Sequence, residues 1–432
     1  MRILIVAGLA QSLLTFRGPL LQAMRRRKTE VVACAAEDDA DVAARLADWG
    51  MRYLAVPLRR AGLNPLADRA YLAALVELLT QEQPDAILAY THKPVIYSAL
   101  AAARSSVRPR VYVMITGLGF AFIENGEVKQ RLAGAAVRFL YRRASRHFAG
   151  VIFQNPDDQA LFQKLKLVRP GTPQIIVRGS GIDLHEFTFA PLDEREKPET
   201  GNLKSDPTQV SGLEFSETPQ VSSYRSQVLS PRFLLIARLL GDKGIREYVA
   251  AAQIIKAQHP QAEFHLVGPT DPNPAAIKLS EVEAWQRDGV IVYHGSQKDV
   301  RPILRECSVY VLPSYREGTP RTVLEAMATG RAVITTDAPG CRETVFFEKP
   351  EILKGGIKQG LNGFLVPVKS VDGLVVAMQR FIDDPTLAAR MGVEGRQLAE
   401  EHYDVHKVNR QMMEFMGLSR STDIYEARRG GG

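Results

Sequence analysis

The chain has 432 residues, of which 45% are hydrophobic and 24% charged, and its formal net charge is +7. This length is too great for one hydrophobic core, and the composition is that of a globular protein rather than a disordered or fibrous one. There is no apolar run of about eighteen residues, so no membrane-spanning helix is expected. The three cysteines, Cys34, Cys307 and Cys341, are scattered and lack metal-site spacing, which predicts a reducing, cytoplasmic location without disulfides.

The basic excess indicates an anionic partner, such as a phosphate or a membrane lipid, or simply a solvated basic surface. It is concentrated at Arg25–Lys28 and in VRFLYRRASRH, from Val137 to His147. Helical spacing places the apolar side chains of the second cluster on one face. That pattern fits either an amphipathic helix on an anionic membrane or a core helix with a basic outer face. Nucleic-acid binding is not expected, because no recognition motif or aromatic–basic platform accompanies the charge.

Short apolar runs alternate with helical patterns through the first half of the chain, beginning at MRILIVAG. This opening run is too short for a signal-peptide core and predicts a buried first strand. The alternation predicts a parallel sheet with helices on both faces. Strands are predicted at Ile3–Ala7, Val31–Ala35, Tyr53–Val56, Ala86–Ala89, Val111–Ile115, Val151–Gln154 and Ile175–Arg178, and helices at Leu66–Gln81 and Val128–Ala149.

The composition changes between Leu192 and Ser230, where Ser, Thr, Pro, Gln and Glu predominate. Such a segment buries too little apolar surface to offset its ordering entropy, which predicts a linker or mobile loop at a domain boundary. A second alternating set of elements follows. Strands are predicted at Phe233–Ala237, Glu263–Val267, Val290–Tyr293, Val309–Leu312, Ala332–Thr335 and Gly363–Val366, and helices at Ile245–Gln258, Val300–Glu306, Thr322–Thr329, Val371–Ile382 and Leu387–His402.

Two doubly wound α/β domains that face each other across a cleft are therefore predicted. Ligands of such sheets bind outside the carboxyl ends of the strands. The predicted organisation is an N-terminal domain at 1–190, a polar linker or insertion at 191–230, a C-terminal domain at 231–385, C-terminal helices at 386–418 that pack back toward the N-terminal domain, and a disordered tail at 419–432.

The stretch YREGTPRTVLEAMATG contains two glutamates, Glu317 and Glu325. Thr319 can cap a helix, Pro320 suits its first position and Gly330 its end. The helix N-terminus then presents free N–H groups to the cleft, where an anion or sugar oxygens can bind. The two glutamates add fixed acceptors, a combination that suits a ligand with a phosphate and a diol. The alternative is a capped helix with two solvated glutamates.

The stretch LLIARLLGDKGI places Arg238 directly after a predicted strand, and Lys243 in a turn before a helix. Two cations on a strand–loop–helix element suit a diphosphate, with Arg as a planar fork and Lys as a point charge. No GxxxxGK[ST] motif occurs, and VAGLAQSLLTFRG lacks GxGxxG spacing. The sequence thus argues against a P-loop enzyme and against a nicotinamide enzyme.

Together these stretches resemble the retaining GT-B glycosyltransferases of the GT-4 group. The spacing of Glu317 and Glu325, and the basic pair Arg238 and Lys243, match that family's donor-site motifs in order and in strand context. The resemblance covers roughly residues 1–190 and 231–418. It implies the GT-B fold, with two Rossmann-like domains, a donor nucleotide-sugar held mainly by the C-terminal domain and an acceptor held by the N-terminal domain.

The resemblance also implies roles for single residues. Arg238 and Lys243 would bind the donor diphosphate and stabilise the leaving group. Glu325 would bind the ribose hydroxyls, and Glu317 would contact the donor sugar. The other implied donor contacts are the backbone region of Gly318, Thr319, Arg321 and Thr322, the base-lining residues Gly295 and Gln297, and Gly18, which would let the N-terminal loop approach the phosphate.

THKPVIYSALAA, followed by VYVMITGLGFAF, resembles the bacterial subgroup that extends polyprenyl-diphosphate-linked saccharides or the sugars of capsule and O-antigen. This implies acceptor binding by His92, Lys93, Thr116 and Gly117, with Gly119 nearby, and makes His92 a candidate catalytic group. A loop histidine bonded to the backbone is the alternative for His92. Many family members carry a His directly after the strand VYVMI, where this chain has Gly in MITGLG. The loop EGTPRTVLEA also differs from the commoner Gly-Phe-Gly form. The identities of the donor sugar and of the acceptor therefore stay open.

The expected function is retaining transfer of a sugar from a nucleotide-sugar, by preference a UDP-sugar, to a lipid-linked saccharide for capsule, O-antigen or exopolysaccharide. The resemblance implies a front-face route and no metal or other cofactor, since Arg and Lys neutralise the diphosphate. Asp39–Asp41 imitates a metal-binding DxD but is interpreted as a solvated loop. The expected location is the cytoplasm, with peripheral contact at the inner face of the cell membrane. A nucleotide-sugar epimerase or hydrolase and a non-catalytic nucleotide-sugar-binding protein are the alternatives.

Overall fold

The computed structural model describes residues 1–58, 64–117, 128–192, 231–271, 273 and 276–418, with the backbone alone at 128–132. All but two residues of the predicted linker, and the whole predicted tail, lie outside the described residues. Gly119 of the predicted acceptor loop also lies outside them.

The N-terminal domain is built on one sheet of parallel strands. The strands are β1 (Arg2–Val6), β2 (Glu30–Ala35), β3 (Arg52–Ala55), β4 (Ala86–Tyr90), β5 (Arg110–Ile115), β6 (Phe148–Phe153) and β7 (Gln174–Ile176). The helices are α1 (Gln11–Thr15), α2 (Gly18–Arg26), α3 (Ala40–Asp48), α4 (Pro65–Glu82), α5 (His92–Ala102), α6 (Val128–Ala144) and α7 (Pro156–Lys164). The sheet order is β3-β2-β1-β4-β5-β6-β7. Each parallel neighbour requires a crossover connection, so helices cover both faces.

The C-terminal domain repeats this design with an added hairpin. The strands are β8 (Arg232–Ile236), β9 (Glu263–Val267), β10 (Val292–Tyr293), β11 (Val309–Leu312), β12 (Ala332–Thr336), β13 (Glu351–Leu353), β14 (Ile357–Gln359) and β15 (Gly363–Val366). The helices are α8 (Ile245–Gln258), α9 (Leu279–Arg287), α10 (Arg301–Glu306), α11 (Arg321–Thr329), α12 (Val371–Asp383), α13 (Leu387–His402) and α14 (Val405–Phe415). The sheet order is β10-β9-β8-β11-β12-β15-β14-β13, with β14 antiparallel to both of its neighbours.

The strand alternation of β1 sorts its side chains into two cores. Ile3 and Ile5 face the core formed with α1, α2, α3 and α14, whereas Leu4 and Val6 face the core formed with α4, α5, α6 and α7. All four side chains are fully buried. A strand that is apolar on both faces is what a sheet covered on both sides requires.

The predicted fold class, two doubly wound α/β domains, is confirmed. The predicted helix Val128–Ala149 is too long: α6 ends at Ala144, a 3-10 turn covers Ser145–His147, and Phe148 begins β6. The hairpin of β13 and β14 was not predicted, because each strand has three residues and carries no alternating pattern.

The chain crosses between the domains twice, and the crossing segments are bonded to each other. Ile182 donates its N–H to the carbonyl oxygen of Tyr403 at 2.7 Å, and Val405 donates to that of Ile182 at 3.0 Å. After this crossing, α14 packs against α2 of the N-terminal domain, while α13 stays on α11 and β12. Met412 and Met413 of α14 complete the N-terminal core.

Candidate active site in the interdomain cleft

The cleft lies where the carboxyl ends of the two sheets face each other. The strand order reverses between β1 and β4 in one sheet and between β8 and β11 in the other. Ligands of doubly wound sheets bind outside such reversal points. The loop after β11 meets the loop after β6 of the opposite domain, and this contact defines the closed side of the cleft.

Lys243 lies in a short turn that follows β8. The next residue, Gly244, has a φ of +71°, and a Cβ there would lie 2.2 Å from the carbonyl oxygen of Pro313, so glycine lets the turn pack on the end of β11. The turn brings Nζ of Lys243 to 2.5 Å from Oε1 of Glu317. Burial lowers the pKa of Lys243, but the charge and hydrogen bond of Glu317 outweigh burial and hold that pKa above its ordinary value. Lys243 is therefore protonated and positively charged beside Glu317.

The N-terminus of α11 faces the cleft, but its cap differs from the prediction. The helix ends at Gly330, which has a φ of +83°, as predicted. The prediction that Thr319 caps the helix is wrong. Pro320 occupies the cap position without a side-chain bond, and the Thr319 hydroxyl donates to the carbonyl oxygen of Gln154 at 3.0 Å. The first N–H groups of α11 are thus left without a side-chain cap, as an anion-binding helix end requires.

Glu325 lies within α11 and is only 8% exposed. Arg321, one turn earlier, donates its Nε to Oε1 of Glu325 at 2.9 Å. Burial raises the pKa of Glu325 to about 7, although the charge of Arg321 acts in the opposite direction. The carboxyl group therefore exchanges a proton near neutral pH. Hydrogen bonds donated by a bound diol would favour its ionised form.

Gly318 brings the two domains into contact. A Cβ at this position would lie 2.6 Å from the carbonyl oxygen of Thr116 and 2.7 Å from Oε1 of Gln154, both in the N-terminal domain. Gly117 lies opposite, since a Cβ on it would be 3.6 Å from the backbone nitrogen of Gly318. Nδ2 of Asn155 donates to the Gly318 carbonyl oxygen at 2.8 Å. The predicted donor and acceptor loops thus meet at their backbones.

Two ion pairs reinforce this interdomain contact. Arg316 pairs with the fully buried Asp158, and Nη1 of Arg342 lies 2.8 Å from Oδ2 of Asp157. Burial raises the pKa of Asp158, while the charge and hydrogen bond of Arg316 oppose that rise. Both acids lie on α7, whereas Arg316 lies on a loop and Arg342 on a 3-10 turn of the C-terminal domain. The ion pairs therefore hold the cleft closed around the α11 N-terminus.

Arg17 is a site residue that the sequence analysis missed. Its side chain is 2% exposed, and its guanidinium donates to Oγ of Ser180 at 3.0 Å and lies 5.0 Å from the Tyr90 ring centroid. Its Nε is buried without an acceptor among the described residues. Burial lowers the pKa of Arg17 to about 10, Tyr90 opposes this, and Arg321 lowers it further. A buried cation with no carboxylate partner in the described ranges is suited to bind an incoming anion.

In the sequence, Arg17 stands directly before Gly18 in TFRGPL, and no local pattern marks it as a site residue. The structure gives Gly18 itself a different neighbour. A Cβ at Gly18 would lie 3.1 Å from the ring of Trp49, so its small size serves packing within the N-terminal domain. Arg17, rather than Gly18, is the residue of this segment that approaches the opposite domain, through Arg321.

Three predicted donor residues, Arg238, Gly295 and Gln297, have bonding partners outside the Lys243–Glu317 pair. Arg238 is exposed, and its Nη1 lies 2.7 Å from Oδ2 of Asp271. Gln297 is exposed and donates to the carbonyl oxygen of His294 at 2.6 Å, whereas Gly295 accepts from the backbone of Gly268 at 2.8 Å.

One further predicted donor residue, Thr322, is held by a buried tyrosine. Its hydroxyl bonds that of Tyr310 at 2.6 Å. This bond ties the first turn of α11 to β11.

The two predicted acceptor residues of α5 are bonded within the N-terminal domain. Nδ1 of His92 lies 2.8 Å from the hydroxyl of Tyr141, a buried residue of α6. Nζ of Lys93 lies 2.6 Å from Oδ1 of Asp68 on α4. The bond to Tyr141 gives His92 a side-chain partner on a neighbouring helix.

The DxD-like segment, Asp39–Asp41, begins α3 and is not the loop that was predicted. Asp39 caps α3 by accepting from the backbone of Val42 at 3.0 Å. Within the described ranges, no group of three or more His, Cys, Asp or Glu side chains is arranged to hold a metal ion. No helix in the part of the chain that the structure covers is long and apolar enough to cross a membrane.

Two protein-family models match the chain, one in each domain. The model described as "Glycosyl transferase 4-like domain" matches residues 16–177, and "Glycosyl transferases group 1" matches residues 230–384. Among solved structures, HepE from Anabaena in complex with UDP and glucose superposes with a TM-score of 0.69 at 18% identity, covering 96% of this chain and 99% of that one. Sucrose-phosphate synthase from Thermosynechococcus elongatus does so with a TM-score of 0.69 at 16% identity, covering 99% and 100%.

Two curated relatives share most of their length with this chain. The N,N'-diacetylbacillosaminyl-diphospho-undecaprenol alpha-1,3-N-acetylgalactosaminyltransferase of Campylobacter jejuni is 29% identical over 347 residues, which are 80% of this chain and 83% of the relative. The UDP-Gal:alpha-D-GlcNAc-diphosphoundecaprenol alpha-1,3-galactosyltransferase of Escherichia coli is 25% identical over 342 residues, 79% and 77% of the two chains.

The facing sheets and the matched domains define a glycosyltransferase of the GT-B fold. Within that class, the chain belongs to the family of GT-4-like, group 1 glycosyltransferases.

Proposed function

We propose that the protein transfers a sugar from a UDP-sugar to a saccharide linked to a polyprenyl diphosphate. One observation carries the proposal: two cation–carboxylate pairs, Lys243–Glu317 and Arg321–Glu325, flank the free N-terminus of α11 at the cleft. Cations, backbone N–H groups and carboxylate acceptors together match a ligand with phosphates and a ribose. The names of the Campylobacter and Escherichia relatives, which act on undecaprenol-linked sugars, support the acceptor.

The donor diphosphate binds between the two domains. Its oxygens compete with Glu317 for Lys243 and approach the unpartnered Nε of Arg17 from the opposite side. Arg238, whose side chain is 60% exposed, joins them by turning away from Asp271. These cations stabilise the charge that develops on the leaving nucleotide as the sugar departs.

The cleft glutamates serve as acceptors for hydroxyl groups. Each is paired with a cation, which fits a hydrogen-bonding role better than that of nucleophile or acid. Glu325 accepts from the ribose hydroxyls, and Glu317, released by the incoming phosphate, accepts from the donor sugar. Gly318, Thr319 and the first turn of α11 add backbone donors.

The chemistry that fits this arrangement retains the anomeric configuration. The bond from the sugar to the donor phosphate breaks, the acceptor oxygen bonds to the same face of the sugar, and the acceptor proton passes to the departing phosphate. No protein nucleophile takes part. Lys243 and Arg17 supply the positive charge, so the proposal includes no metal and no other cofactor.

The outer face of α6 meets the membrane that carries the acceptor. Tyr141 and Ala144 of this helix are buried, whereas Phe139 is 62% exposed and Arg143, one turn later, is exposed. An exposed aromatic ring beside arginines suits the headgroup layer of an anionic bilayer. The double variant Phe139→Ala/Arg143→Glu should lose co-sedimentation with phosphatidylglycerol vesicles. The matched change on α4, Leu66→Ala/Arg69→Glu, should keep it, and equal loss in both variants would contradict the contact.

A panel of UDP- and GDP-sugars, with and without a bacterial polyprenyl-lipid extract, tests the reaction. Release of free nucleotide from one donor, only when the extract is present, is the expected result. Release without the extract would instead establish a hydrolase or epimerase. Binding without release under both conditions would favour a non-catalytic nucleotide-sugar-binding protein. Glu325→Ala serves as the inactive control.

A further inference from the structure

A second pocket, separate from the cleft, lies between α2 and α14 and has a volume of about 340 Å³. Its polar lining consists of Arg26 and Arg27 from the end of α2 and of His406, Asn409 and Arg410 from α14. Arg17, the residue of this segment that approaches the cleft, directly precedes α2, and Arg26 is nine positions further, about 13 Å along a helix axis. The pocket therefore does not belong to the donor site.

The lining of this pocket carries positive charge and no carboxylate. Arg26 and Arg410 are exposed, and neither makes an ion pair with any described residue. Arg27 donates to the carbonyl oxygen of Leu418 at 3.2 Å. The guanidinium groups of Arg26 and Arg410 line one pocket and repel each other, and a bound anion would relieve that repulsion.

Asn409 gives a second, independent indication of a ligand. Its side chain is 2% exposed, and its Nδ2 has no hydrogen-bond acceptor among the described residues. A buried amide donor without a partner is unfavourable, because the hydrogen bonds it would make with water are lost and not replaced. Native proteins therefore rarely leave one unsatisfied unless a ligand or water completes it.

We propose that this pocket binds a phosphate group, carried either by a soluble phosphate ester or by a lipid headgroup. Guanidinium and amide N–H groups are donors only, and a phosphate offers several acceptor oxygens in return. A pocket of this volume is within the range of small-molecule sites, roughly 300–1,000 Å³, so the phosphate is the anchoring part of a larger ligand. The basic cluster Arg25–Lys28 thereby gains a specific role through Arg26 and Arg27. This proposal is independent of the proposed function.

Titration of the whole protein with inorganic phosphate, at constant ionic strength against chloride, tests the site. Phosphate should raise the midpoint of thermal unfolding. Arg26→Ala/Arg410→Ala should weaken the apparent affinity at least tenfold, and Asn409→Leu, which leaves the charge unchanged, several-fold. Arg69→Ala/Arg104→Ala removes two exposed arginines elsewhere and should have no effect. No response to phosphate, or equal loss in the control, would overturn the proposal.

Vesicles distinguish the two sources of the phosphate group. Binding to phosphatidylglycerol vesicles but not to phosphatidylcholine vesicles, lost in Asn409→Leu, would assign the site to a lipid headgroup. A response to inorganic phosphate with vesicle binding unchanged in Asn409→Leu would assign it to a soluble ester.

Discussion

Replacing Glu325 by Gln should stabilise the protein in a pH-dependent way. The pKa of this buried carboxyl rises from its ordinary 4.5 to about 7, so the folded state holds the proton more tightly than the unfolded state. The cost of ionising Glu325 is therefore absent below the unfolded pKa, grows as the pH rises from 4.5 to about 7, and is constant above that. At about 1.4 kcal/mol per pH unit, it reaches about 3 kcal/mol at pH 8 and stays under about 1 kcal/mol at pH 5.

Thermal unfolding of wild type and Glu325→Gln at pH 5 and pH 8 measures this difference. Gln stays neutral, so the variant should unfold roughly 6–12 °C higher than wild type at pH 8, with a much smaller difference at pH 5. The exposed Glu283→Gln on α9 is the control and should change neither midpoint. The same Glu325→Gln variant should bind UDP about tenfold more weakly, because one ribose acceptor is lost. Destabilisation at pH 8, or equal effects at both pH values, would refute the reasoning.

Three further changes test other parts of the cleft. Lys243→Ala should lower turnover strongly, measured by nucleotide release, and destabilise the protein by about 2 kcal/mol, measured by thermal unfolding, because Glu317 stays partly buried without its partner. Adding Glu317→Ala should restore stability but not turnover. Arg17→Met should lower turnover at least tenfold without loss of thermal stability, since it removes a buried, uncompensated charge; a lower unfolding midpoint would assign Arg17 a structural role. Gly318→Ala should widen the cleft, because its Cβ would lie 2.6 Å from the carbonyl oxygen of Thr116; small-angle scattering should show a larger radius of gyration, and an unchanged radius would contradict the contact.

Elements with strong local signals could be predicted from the sequence. The helices Ile245–Gln258 and Leu387–His402 begin and end at the predicted residues. The first follows a glycine that has a φ of +71°, and its sequence ends before His-Pro. Glycine and proline act on the backbone directly, so their effects are visible without tertiary information.

Contacts between the domains could not be predicted in the same way. Thr319 is a residue that commonly caps helices and stands just before α11, but its hydroxyl donates to the carbonyl oxygen of Gln154, 165 positions earlier in the chain. His92 and Lys93 likewise had chemistry suited to a site, yet each bonds a side chain of a neighbouring helix. A local sequence pattern shows which polar side chains are present but does not show which distant residue each will bond in the folded protein.

Arg17 shows the opposite case. A single arginine before a glycine carries no local pattern that separates it from a surface residue. Its importance appears only when folding buries it beside Tyr90 and Ser180, with no carboxylate to pair with in the described part of the chain. The donor-site motifs, by contrast, were visible because Arg238 and Lys243, and likewise Glu317 and Glu325, stand close together in the sequence.

Mass spectrometry of the acceptor tests the central claim most directly. The protein would be incubated with the UDP-sugar selected by nucleotide release and with a polyprenyl-diphosphate-linked saccharide. We expect the lipid-linked product to gain the mass of one sugar residue, with the new anomeric centre matching that of the donor, and we expect no gain with Lys243→Ala. A donor that is consumed while the acceptor mass stays unchanged would contradict sugar transfer to this class of acceptor.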